Sequence, residues 1–135
     1  KPLDGVRPYR LEMQAKVTIG NTRNLYDYWG TRLYQSVIDE SRVIINMASK
    51  EYSKCIEKYL SPEDQYLTVT FCELSGKKLV TKGTYAKMAR GEMVRYIAER
   101  KIENPVDIRN FNRLGYIFQE DLSSETEYVF ERKPD

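Results

Sequence analysis

YLTVTFCELSGKKLVT, residues 66 to 81, decides the fold class. From Tyr66 to Glu73 the side chains alternate, with Leu67, Val69 and Phe71 on one face and Thr68, Thr70 and Cys72 on the other. A period of two with β-branched and aromatic residues predicts a half-buried strand. Ser75-Gly76-Lys77 supplies the turn, and Lys78 to Thr81 reads as the second arm of a hairpin.

The sequence on either side changes period. Downstream, Thr84 to Lys101 places Tyr85, Met88, Ala89, Met93, Tyr96 and Ile97 on an apolar stripe at helical spacing. Asn104-Pro105 opens a further helix, with proline at the first helical position and Asp107 in the first turn, ending near Asn112. Tyr116 to Asp121 and Glu127 to Lys133 read as two strands about a Ser-Ser turn. Upstream, Asn24 caps a predicted helix running to about Ile38, and Val43 to Met47 is a short, buried strand. Ser49 caps a helix to about Tyr59, with Tyr52, Cys55, Ile56 and Tyr59 on its apolar face. Residues 1 to 23, punctuated by Pro2, Gly5, Pro8 and Gly20, read as extended and loop-rich. The expected architecture is α+β, a mixed or antiparallel sheet with helices and hairpins packed on it. The length of 135 residues suits a single domain, and an opening Lys1 fits either a processed chain or the C-terminal portion of a longer one.

Composition excludes several chemistries. The chain has no histidine, so Ser-His and Cys-His nucleophilic mechanisms cannot be built from it alone. Its two cysteines lie 17 positions apart, which rules against a zinc site and fits reduced, structural thiols. Neither a P-loop nor a dinucleotide-binding glycine fingerprint is present, and no cofactor is expected. No apolar run reaches the length of a membrane helix.

Charge is unevenly placed. Lys77 to Lys101 holds eight basic and two acidic residues, whereas Ile102 to Asp135 holds four basic and eight acidic. The basic segment can serve as an anion-binding face, or it can pair with the acidic tail. Lys87 and Arg90, three apart, share a helix face, with Arg95 further round. Gly91, unusual inside a helix, fits either close approach of a ligand or close packing on another element. A polar set forms the second candidate. Arg10 and Glu12 can pair with each other, or Arg10 can hold a phosphate. Asn46, Ser49 and Glu51, beside Tyr52, stand where a strand ends and a helix begins, a common ligand position. Plain capping by Ser49 is the simpler reading.

Several runs then act together. They are PLD at 2–4, PYRLEM at 8–13, LYDYWG at 25–30, INMASKEY at 45–52 and YAKMARG at 85–91, with Phe111, Gly115-Tyr116 and the closing VFERK. In this order they resemble the YaaA family of peroxide stress proteins. The resemblance implies a cytoplasmic bacterial protein that limits hydrogen peroxide damage by lowering free iron. It also implies binding of double-stranded DNA through a positively charged cleft and a helix-hairpin-helix element. Family members are longer, and that element is placed in an N-terminal half preceding the PLD run, a partner of this portion. The residues matching the family pattern are Arg10, Glu12, Asn46, Ser49, Glu51, Tyr52, Lys87 and Arg90. Two departures stand out: Met88 where relatives resemble KKARG, and the negative Glu92 beside the basic face. A two-histidine, one-carboxylate iron site is impossible here, which makes the iron effect indirect or external to this chain.

Three functions follow. The first is a DNA-binding protein contacting phosphates through Lys87, Arg90, Arg95, Arg10 and Arg7. The second is an enzyme acting on a nucleotide or nucleic acid through a polar pocket of Arg10, Glu12, Asn46, Ser49 and Glu51. The third is a regulatory domain whose basic helix packs on its acidic tail. The residues favour a binding protein over an enzyme.

Overall fold

The computed structural model describes residues 12–14 and 20–133, so Arg7 and Arg10 lie outside the described residues. The chain forms two compact units. The first comprises the described residues up to Val37 together with Ala48–Leu60; the second comprises Ile38–Met47 and the residues from Ser61 onward.

The first unit is helical. Asn24 caps α1 (Leu25–Trp29) as its sequence predicts, its side chain accepting the Asp27 N–H at 2.9 Å. The single helix expected to Ile38 is instead two. Gly30 leaves helical geometry with φ 50° and ψ −130°, and α2 (Arg32–Val37) restarts beyond it. That backbone conformation lies on the side of φ that glycine reaches most easily. After Ser49, α3 runs over Lys50–Glu57. Ser49 occupies the cap position, but its hydroxyl makes no capping bond; its carbonyl accepts the N–H groups of Tyr52 and Ser53. The face expected to be buried is also rotated: Ser53 and Cys55 are enclosed while Tyr52 is exposed.

The second unit is a five-stranded mixed sheet carrying helices, in agreement with the expected α+β class. Its strands are β1 (Val43–Asn46), β2 (Gln65–Ser75), β3 (Lys78–Val80), β4 (Tyr116–Phe118) and β5 (Glu127–Arg132). Their order is β1-β2-β5-β4, with β3 also paired to β2. β1 and β5 run parallel to β2, in registers Ile45 to Leu67 and Phe71 to Phe130. The two hairpin pairs, β2 with β3 and β4 with β5, are antiparallel. Gly76 turns the first hairpin at φ +64°.

The longest helix, α4 (Gly83–Glu99), covers one face of this sheet. Its buried residues are Ala86, Ala89, Met93 and Tyr96, a 3-4-3 spacing. Tyr85 and Met88, expected on the buried stripe, face solvent. Two alanines let the helix backbone approach β2, and this close packing takes precedence over side-chain size. Beneath them Leu67, Val69, Phe71, Tyr116, Tyr128 and Phe130 form the core with Ile108 and Phe111. Phe71 meets Tyr116 edge-on at 5.2 Å, and Phe111 meets Tyr96 at 5.4 Å. The helix predicted after Asn104 is a 3₁₀ segment, Pro105–Asn110, with Asn104 accepting the Val106 N–H at 3.1 Å. The strand expected to reach Asp121 stops at Phe118, and a short 3₁₀ turn, Glu120–Leu122, follows.

Candidate functional site

The first candidate site lies in the helical unit. The Glu51 carboxylate, in the first turn of α3, accepts the Met13 N–H at 3.2 Å. The Glu51 carbonyl accepts the Tyr26 hydroxyl. These bonds tie the buried Met13 and α1 to the start of α3, and the Leu25 N–H donates to the Met13 carbonyl at 3.2 Å. Beside them opens a cleft of about 400 Å³ lined by Glu12, Gln14, Tyr26, Glu51 and Lys54. Two of the residues singled out in the sequence, Glu12 and Glu51, are thus brought together. Tyr26 and Lys54 were missed. They come from different helices, and no local spacing links them.

A second hollow of about 330 Å³ shares Tyr26 and Lys54 and adds Cys55 and Tyr59. Burial pushes the Tyr26 hydroxyl above its ordinary pKa, with smaller contributions from Cys55, Glu51 and Tyr52. Burial likewise pushes the Cys55 thiol up. In the sheet unit, burial raises the Cys72 thiol further from thiolate, helped by Glu131 and Glu127. A peroxide-reactive cysteine requires the opposite shift. Both thiols are reduced and buried. Of the remaining polar candidates, Ser49 holds the cap position of α3 and Tyr52 lies in its first turn, in the helical unit. Asn46 is buried at the end of β1, opposite Thr68.

The basic helix is the other candidate. Lys87 is exposed and Arg90 is half-buried, its Nε enclosed without a hydrogen-bond partner. Arg95 is committed elsewhere: its Nε reaches Glu99 at 2.7 Å and its Nη1 lies 4.0 Å from Glu92. Arg113 holds the same two carboxylates, at 2.6 Å from Glu99 and 3.3 Å from Glu92. Other arginines of the sheet unit lie over rings, Arg100 over Tyr96 and Arg109 beside both Phe118 and Tyr128. No described residue lies within 4 Å of where a Gly91 Cβ would be, so none of them packs closely on that glycine. Among the described residues, no group of three or more His, Cys, Asp or Glu could hold a metal ion.

Hydrogen bonds from Arg113 and then Arg95 hold the Glu99 carboxyl below the usual glutamate range. A depressed carboxyl stabilises the fold above its unfolded pKa and loses that contribution as pH falls through its folded value. The Arg113–Glu99 link should therefore persist below pH ~4.3 and open only in stronger acid. An NMR titration of the Glu99 carboxyl carbon should show a depressed midpoint, moved upward in Arg113→Gln. An ordinary midpoint in the wild-type chain would mean that the pair does not form in solution.

The family model for "Peroxide stress protein YaaA" matches residues 1–122. The chain belongs to this family. YaaA relatives extend the match nearly end to end. A UPF0246 protein of Agathobacter rectalis is 74% identical over 133 residues, covering 98% of this chain and 53% of the relative. Another, from Lachnoclostridium phytofermentans, is 53% identical and covers 96% of this chain and 51% of its own length. A third, from Clostridioides difficile, is 44% identical with coverage of 96% and 53%. The chain therefore spans about half the length of these YaaA-family relatives. No helix among the described residues is long and apolar enough to cross a membrane.

Proposed function

We propose that this chain serves the peroxide-stress role of its family as part of a cytoplasmic protein that grips double-stranded DNA non-specifically, limiting oxidative damage and free iron. One observation carries the reading: how charge is partitioned on α4. Its two acidic residues, Glu92 and Glu99, are both engaged by Arg95 and Arg113. Lys87 and Arg90 are left without an ion pair to any described residue, beside the open surface at Gly91. A lysine and an arginine one helical turn apart, with no ion pair among the described residues, suit a phosphate backbone, which is bound by charge and not by base identity. Arg95, paired twice within its own helix, takes a lesser share. Arg7 and Arg10 remain candidates by their sequence alone.

Fluorescence anisotropy of a labelled duplex, with salt titrated, tests this. Binding should weaken by about 0.9 log units per phosphate contact for each log unit of salt. The variant Lys87→Ala/Arg90→Ala should flatten that slope by up to about two contacts and weaken binding at low salt. Binding that is unchanged in the variant would remove α4 from the interface. A second reading, an enzyme acting on a nucleotide or nucleic acid, is favoured by the meeting of Glu12 and Glu51 with Lys54 and Tyr26 in one cleft. Complete absence of duplex binding at low salt would turn attention to that cleft.

A further inference from the structure

Glu73 is the unusual residue of the sheet unit. It lies on the core face of β2, only 2% exposed, among residues that are otherwise apolar. Val80 of β3 and Arg132 of β5 flank it as its strand partners. Its Oε1 pairs with Lys82 Nζ at 2.9 Å, and its Oε2 faces Arg132 Nη1 at 3.6 Å. A buried carboxylate needs such partners. The notable consequence is for Arg132. Its guanidinium is drawn towards Glu73 on one side and lies over the Tyr85 ring, 4.1 Å from the centroid. The distance to Glu73 exceeds a hydrogen bond. The guanidinium is therefore oriented while its donors are not consumed by Glu73.

Arg132 borders a groove of about 310 Å³, lined also by Tyr85, Met88, Leu114, Gly115 and Lys133. One wall is backbone held in an uncommon conformation. Leu114 and Gly115 are both left-handed, at φ 56° and 78°. Gly115 adopts this region freely, but for Leu114 it is costly, and such strained residues cluster at ligand clamps. Three large apolar side chains, Tyr85, Met88 and Leu114, remain exposed here. The charge is net positive, with Lys82, Arg132 and Lys133 set against Glu73.

We propose that this groove binds the phosphate of a small organic molecule, with Arg132 and Lys133 on the oxyanion and Tyr85, Met88 and Leu114 against its apolar part. Glu73 acts as a positioning residue, aiming Arg132 without touching the ligand. The planar guanidinium fork matches two phosphate oxygens at once. A groove of this size accommodates a small molecule and is at the lower end for ligand pockets. The proposal is independent of DNA contact at Lys87 and Arg90.

Titration of the ¹⁵N-labelled chain with phenyl phosphate, followed by NMR, decides it. Saturable shifts are expected at the Gly115 amide and the Arg132 Nε–H, with phenyl phosphate binding roughly tenfold tighter than inorganic phosphate through its buried ring. Arg132→Gln should abolish the shifts at Gly115. Because that change also removes a partner of Glu73, Arg132→Lys provides the second variant: it keeps the charge, loses the fork, and should weaken binding about tenfold. Added duplex DNA should leave the phenyl phosphate shifts in place. The proposal is overturned by an absence of saturable shifts, by equal affinity for inorganic phosphate, or by binding that survives both Arg132 variants. Displacement by DNA would overturn the assignment to a small molecule.

Discussion

Phe130→Ala should destabilise the sheet unit by about 3–5 kcal/mol, a large part of the ~5–15 kcal/mol that holds a domain folded. Phe130 sits on β5, which lies between β2 and β4, and it is fully buried. Its ring meets Phe71 at 5.5 Å, Phe111 at 5.7 Å and Phe118 at 5.7 Å. Those partners come from β2, from the residue closing the 3₁₀ segment and from β4, so the ring joins three separate elements. Truncation would remove its transfer free energy and leave a cavity that rigid strands on both sides cannot close. Urea unfolding should show a lower midpoint at an unchanged slope. Ile117→Ala is the matched control: Ile117 neighbours Phe118 but is 58% exposed, and its loss should fall within about 0.5 kcal/mol. A cost below about 1 kcal/mol at Phe130 would show that the core collapses into the gap.

The legible parts of this fold are those set by short-range rules. Alternation from Leu67 to Phe71 gave the central strand, and Asn24 and Asn104 cap as their positions demand. What escaped was decided by partners distant in sequence. Ala86 and Ala89 are buried because β2 lies against them, while the larger Tyr85 and Met88 stay outside. On α3, Ser53 is enclosed while the larger Tyr52 is exposed, which helical spacing alone does not mark. In the helical unit, Glu12 and Glu51 could be picked out, but their meeting depends on Met13 donating to a carboxylate 38 residues away. On α4 the sequence showed the basic residues, but not that Arg113 would claim Glu92 and Glu99 and leave Lys87 and Arg90 without an ion pair among the described residues. Glu73 gave no signal as one end of an alternating strand, because nothing local marks it as the buried partner of Lys82 and Arg132.

Arg42→Met is expected to produce the other large loss, roughly 3 kcal/mol, through what it leaves behind. The Asp64 side chain is fully enclosed, and its Oδ1 pairs with Arg42 Nη2 at 2.7 Å. Its Oδ2 accepts the Ser61 N–H at 2.8 Å and so also shapes the turn before β2. One residue on, the Gln65 N–H donates to the Arg42 carbonyl at 2.7 Å. Val43 and Gln65 then form the first rung of the parallel β1–β2 pairing. Side chain and backbone together latch this register where two strands distant along the chain first meet. Methionine preserves much of the arginine's apolar stem but takes the Arg42 cation away from a buried carboxylate, and this accounts for most of the loss. Arg42 is itself partly exposed, which holds the figure at the lower end of the range for such pairs. The double variant Arg42→Met/Asp64→Asn removes the buried charge. It should therefore be more stable than the sum of the single changes implies, by about 1–3 kcal/mol. Urea unfolding of the four proteins measures that coupling directly. Simple additivity would mean that water reaches Asp64 once Arg42 is gone, and that the backbone bond to Gln65 alone sets the register.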